Sequence, residues 1–137
     1  MSRAERSVFI SYSHKDAQLA RKLGRALGKR AMHTPGLVSD ASMRMGHSFA
    51  AELERALRAA SCYVVLVSDA ALQSPSVNFE IGAAIGQEKK LIPVFLTRRA
   101  FRDAPVPLRE RTGILAEHMS ADDIADRIVG AIERAAA

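Results

Sequence analysis

Tyr63 to Val67 are five consecutive apolar residues, and such a run, continuous rather than alternating, is the pattern of a strand buried on both faces. The sequence therefore places this strand at the centre of a sheet. Shorter apolar runs recur around it. Val8-Phe9-Ile10 reads as a first strand, closed by the polar Ser11 to Asp16 segment with a plausible helix cap. From Ala17 to Arg30, Leu19, Leu23 and Leu27 recur every four residues while Arg21, Lys22, Arg25 and Lys29 take other faces, so one amphipathic helix covers one side of the sheet. Thr34-Pro35-Gly36 is expected to break that helix, and Leu37-Val38 to form a minimal second strand ending at Ser39-Asp40.

Ala41 to His47 lack a clean period and read as a loop, after which Phe49, Leu53, Leu57 and Ala60 form the apolar stripe of a second helix. Beyond the central strand a loop containing Ser74, Pro75 and Ser76 leads to a helix expected from about Val77 to Gln87, with Glu80 at its mouth. Gly82 and Gly86 lie one turn apart in it, and because glycine costs helix stability, close approach to a neighbouring backbone is the expected return. Leu91 to Leu96 is a fourth strand whose Pro93 implies a strand start, an edge or a bulge. Thr97 to Arg111 reads as loop with a little helix, Gly113-Ile114-Leu115 as a short fifth strand, and Ser120 to Asp123 as the start of a last helix carrying Ile124, Ile128 and Ile132.

Strands alternating with helices predict an α/β fold: a doubly wound, five-stranded parallel sheet with helices on both faces and the common order 2-1-3-4-5. Ligands of such sheets bind beyond the carboxyl ends of the strands where the order reverses. Here that crevice faces Ser11-Tyr12 and the segment from Ser68 to Glu80.

Composition changes this picture little. The 137 residues suit one domain, 48% apolar but only 5% aromatic, so Leu, Ile, Val and Ala must build the core. A single cysteine, Cys62, excludes an intrachain disulfide, reads as a small buried hydrophobe and favours a cytoplasmic location; no run approaches the length a bilayer needs. The net charge of +5 is uneven: residues 1–45 hold nine Lys and Arg against three Asp and Glu. Arg21, Lys22, Arg25, Lys29 and Arg30 suit either a solvated helix face, the favoured reading, or an anionic partner; without interleaved aromatics, nucleic acid is not the expected one.

Several chemistries are unsupported. No Gly-rich dinucleotide fingerprint follows the first strand, no Walker-type phosphate loop occurs, and no Gly-x-Ser-x-Gly elbow is present. His14, His33, His47 and His118 are scattered without metal-ligand spacing, so no metal site is expected.

Phe9-Ile10-Ser11-Tyr12 with Asp16, then Asp40 with Gly46 beyond it, then Ser74 six residues before Glu80, resembles the TIR (Toll/interleukin-1 receptor) domain, particularly its bacterial branch. The resemblance spans roughly residues 7–96. The family's Ser-x-Trp-Cys-x-x-Glu run corresponds to Ser74 through Glu80; the serine and glutamate match, while Ser76 and Val77 stand in place of tryptophan and cysteine. It implies a flavodoxin-like fold and one of two activities: cleavage of NAD with release of nicotinamide, by hydrolysis or cyclisation, in bacterial antiviral defence, or non-catalytic assembly with other TIR domains.

For the first activity Glu80 is the catalytic candidate, since a carboxylate against the ribose can stabilise the oxocarbenium-like centre left by nicotinamide. Its bland alternative is a first-turn carboxylate interacting with the helix dipole. Phe9, Ser11, Tyr12, Asp40, Arg44 and Ser74 are the candidate substrate-binding residues. Phe9 suits the lining of a nicotinamide pocket but reads more readily as plain core, and Tyr12, at a strand exit, reads as a ligand contact or a surface residue. In the family the loop here holding Met43, Met45, Gly46 and His47 is the usual assembly element. NAD is expected as substrate rather than resident cofactor, other TIR domains as partners, and a fused or separate sensor module as the source of activation. Residues 1–137 are expected to be one domain, of a kind often found within larger proteins.

Overall fold

The structure is a computed structural model describing residues 7–39, 55, 58–88 and 90–136, with the backbone alone at 35–39, 76, 79, 80, 83, 135 and 136. Five parallel strands lie in the order β2-β1-β3-β4-β5: β1 (Ser7–Tyr12), β2 (His33–Ser39), β3 (Cys62–Val67), β4 (Lys90–Phe95) and β5 (Ile114–Leu115). The helices are α1 (Ala17–Lys29), α2 (Asp69–Leu72), α3 (Pro75–Gly86), α4 (Arg98–Asp103), α5 (Val106–Arg109) and α6 (Ala121–Ala136).

Every residue of β1 and β3 is buried, as the continuous apolar run required, and alternate residues feed two cores. Val8, Ile10, Tyr12, Val64 and Leu66 face α1 and α6, whose buried stripes include Leu23, Leu27, Ile124 and Ile128. Phe9, Tyr63, Val65 and Val67 face α2 to α5, meeting Ala71, Val77, Ile81, Ala84, Ala100 and Leu108. Phe9 stacks on Tyr63 with ring centroids 5.3 Å apart and planes 11° from parallel. Arg30 ties the two helices of the first face together, donating from Nε to Asp126 at 2.7 Å and from a terminal nitrogen to Asp122 at 3.1 Å.

Three expectations change. The first helix does not end at Thr34-Pro35-Gly36. Its last residue is Lys29, and it is closed by Ala31, whose positive φ of 60° lets Ala31 N–H reach Gly28 O at 3.1 Å and Met32 N–H reach Leu27 O at 3.0 Å, the Schellman pattern. Pro35 and Gly36 instead lie inside β2, an edge strand whose register against β1 gains one residue between the Ser7–His33 and Phe9–Gly36 pairs, a bulge where proline is tolerated. Gly82 and Gly86 make no close approach, for a Cβ on either would meet nothing within 4 Å among the described residues. Gly113 does approach closely: a Cβ there would lie 2.7 Å from the Pro93 carbonyl oxygen and 2.9 Å from the Phe95 ring.

Pro93 occupies an inner strand, β4, but β5 pairs only with Val94 and Phe95, so Pro93 has no partner on that side. Of the helix expected from Ser48, Arg55, Arg58 and Ala59 are helical, and Ala60 is buried in the core beneath α3; the rest lies outside the described residues. Among the described residues no helix is long and apolar enough to cross a membrane.

Candidate functional site at the sheet's switch point

Strand order reverses between β1 and β3, so their carboxyl ends bound the crevice where α/β sheets of this kind place ligands. Both exits are built from serines and one carboxylate. After β1, buried Ser13 caps the 3₁₀ turn His14–Asp16, accepting from Lys15 N–H at 3.4 Å, while Asp16 N–H donates to Ser13 O at 2.7 Å. Immediately after β3, Ser68 caps α2 by accepting from Ala71 N–H at 3.1 Å and donates its own proton to Asp16 Oδ2 at 2.5 Å. That bond joins the segments leaving the two strands.

Ser74 continues the pattern. Its hydroxyl accepts from Val77 N–H at 3.3 Å and its carbonyl from Asn78 N–H at 3.1 Å, so it is the N-cap of α3, with Pro75 at the first helical position where proline's missing N–H costs nothing. Asn78 donates back to Leu72 O at 3.2 Å, fixing α3 against the end of α2. The helix thus starts two residues earlier than expected, and Glu80 is its sixth residue, in the second turn. The first turn of α3 holds no acidic residue, which corrects the first-turn dipole reading. The backbone position of Glu80, three residues after buried Val77 and four before buried Ala84, adjoins the stripe that packs on the sheet.

The strand pleat separates the other candidates. Ser11, fully buried, and Phe9 lie on the face toward α3. Tyr12, 7% exposed, packs with Val8 and Ile10 into the opposite core under α1 and α6, so it is neither a surface tyrosine nor on the face of Glu80. Phe9 is enclosed by its stack on Tyr63. Ser74 is 6% exposed and serves the helix as its cap. Asp40, Met43, Arg44, Met45, Gly46 and His47 lie outside the described residues. The Asp16–Ser68 link is not foreseen from the sequence; a serine directly after a buried strand signals the cap at Ser68 but not its second partner. Among the described residues no group of three His, Cys, Asp or Glu could hold a metal ion.

A parallel five-stranded sheet in this order, wrapped on both faces, defines the flavodoxin-like class. The family model of the TIR domain matches residues 8–129, and the chain belongs to that family. No curated protein matches. Among solved structures, it is similar to the TIR domain of the Toll-related receptor TRR-2 from Hydra magnipapillata, at 18% identity and a TM-score of 0.71 over 92% of this chain and 97% of that one. It is similar to the RPS4 and RRS1 TIR domain heterodimer at 13% identity and a TM-score of 0.59, over 93% and 95% of the chains. A diflavin flavoprotein from Nostoc sp. shares the fold at 14% identity and a TM-score of 0.53, over 96% and 97%.

Proposed function

We propose that this TIR domain cleaves NAD at the nicotinamide–ribose bond, acts when copies are brought together, and serves as a cytoplasmic effector in bacterial antiviral defence, with NAD as substrate and no resident cofactor. The observation that carries the reading is the backbone position of Glu80 on α3, the second helix after β3, beside the switch point, within a run matching the family's serine and glutamate. The C1′–N bond breaks with its electron pair going to nicotinamide, which leaves neutral. The Glu80 carboxylate stabilises the cationic ribose until water, or a nucleophile of the same molecule, adds to C1′. Ser11 lines the same sheet face, and Arg44 would pair with the substrate's phosphates.

A second reading is a non-catalytic TIR–TIR module. Burial of Phe9 and Tyr12 in opposite cores favours it, since neither ring is presented to a ligand, as does the likeness to a TIR heterodimer. Incubating NAD with dilute, concentrated and artificially clustered protein, and resolving nicotinamide, ADP-ribose and cyclic products, separates the two. The enzymatic reading expects nicotinamide release per chain to rise steeply with concentration; no turnover by clustered protein leaves the assembly module.

A further inference from the structure

On the face of the sheet opposite α3, a cavity of about 480 Å³ opens between α1 and the start of α6. Its floor is apolar, formed by half-buried Leu19, buried Ala26 and half-buried Met119, and its rim carries Lys22, Arg25 and Lys29. These three cations are exposed, and no carboxylate among the described residues pairs with them. The single rim carboxylate, Asp122, already accepts from Arg30 at 3.1 Å. α1 itself contains four basic residues and no acidic one, so nothing on its own helix offsets the charge.

The geometry points to this groove as the docking site of an acidic amphipathic helix from a partner protein. Three cations at positions i, i+3 and i+7 line one side of a helix, the spacing at which a second helix laid alongside presents its carboxylates. The apolar floor between them decides the class of partner. A phosphodiester backbone gains nothing from Leu19, Ala26 and Met119, and no groove residue is aromatic, so base stacking is unavailable. Leucine-type side chains on the partner's inner face fill that floor, and the adaptable thioether of Met119 accommodates them. α1 runs for 13 residues, about 20 Å, which sets the length of partner helix the groove can hold.

The test uses the full chain and a fluorescent helical peptide of about 14 residues, with glutamates along one face and leucines along the other, followed by anisotropy near physiological salt. Binding is expected, with chemical-shift changes confined to α1 and residues 119–122. Lys22→Glu and Arg25→Glu are each expected to weaken it about five- to tenfold, and Met119→Ser about threefold or more. Arg102→Glu, an exposed charge on α4 across the sheet, should leave affinity within about twofold. Far-UV dichroism confirms that each variant is folded. The proposal is overturned by a peptide that fails to bind, by equal weakening from Arg102→Glu, or by indifference to Met119→Ser. A uridine RNA of the same length, or inorganic tripolyphosphate, binding as tightly as the peptide would also overturn it and assign the groove to phosphates.

Discussion

Ser68→Ala tests how the switch point is held together. The substitution removes one hydroxyl with two functions: it caps α2 through Ala71 N–H at 3.1 Å, and it donates to Asp16 Oδ2 at 2.5 Å. Loss of an N-cap costs about 1 kcal/mol. A hydrogen bond to a charged group contributes about 1.5–3 kcal/mol, and the partial exposure of both side chains argues for the lower end. The expected loss is therefore about 2.5 kcal/mol. The chain contains no tryptophan, so urea unfolding followed by far-UV dichroism is the suitable assay. With a slope near 2 kcal/mol/M, typical of a small domain, the midpoint should fall by about 1.2 M. Asp16→Ala and the double variant complete a cycle in which the coupling between the two residues should be about 1–1.5 kcal/mol. A loss from Ser68→Ala below about 0.5 kcal/mol, or additivity within about 0.5 kcal/mol, would refute the bridge.

Gly113→Ala should destabilise by about 2 kcal/mol, lowering the melting temperature by about 6 °C, because the Pro93 carbonyl 2.7 Å from the new Cβ belongs to the backbone and cannot swing away. Ala31→Gly should stabilise by about 0.5–1 kcal/mol, the relief of left-handed strain at φ 60° exceeding glycine's extra chain entropy; a lower melting point would contradict the Schellman end of α1. Burial pushes the Cys62 thiol up from an ordinary 9.0 to about 12, with Lys90 pulling weakly the other way. Between those values the unfolded chain loses the proton that the folded chain keeps, so stability falls with rising pH by about 1.4 kcal/mol per unit, a slope that Cys62→Ala should remove. The same burial should keep the native thiol inert to a thiol reagent until the chain unfolds.

The sheet was legible because its strands are continuous apolar runs: β3 extends the expected Tyr63–Val67 by only Cys62, and Ile124, Ile128 and Ile132 are buried along α6 as their spacing required. The parallel, doubly wound class follows from alternation with helices and from crossover handedness, neither of which depends on individual side chains, and the order 2-1-3-4-5, expected only as the common one for such sheets, is the one observed. Edges and short helices were less legible. A Thr-Pro-Gly run reads as a break, yet an edge strand with a bulge has no ladder bond there for proline to remove. α2, at four residues, is too short to show a helical period, and its cap at Ser68 is the only local signal. For the site, Glu80 stands out in the sequence as a carboxylate at a helix mouth among apolar neighbours, to which the family resemblance adds a substrate, whereas Asp16–Ser68 joins residues 52 apart and neither segment alone marks the pairing. Tyr12 was misplaced because the parity of β1 assigns it to the α1 face, which only the observed packing of Val8 and Ile10 settles.

The central proposal is that Glu80 stabilises the cationic ribose during NAD cleavage. The most direct measurement is nicotinamide release by clustered wild-type protein and by clustered Glu80→Gln, with melting curves of both. Turnover is expected from the wild type, with a loss of about a hundredfold or more in the variant and similar melting temperatures. A variant that releases nicotinamide at the wild-type rate would contradict the proposal.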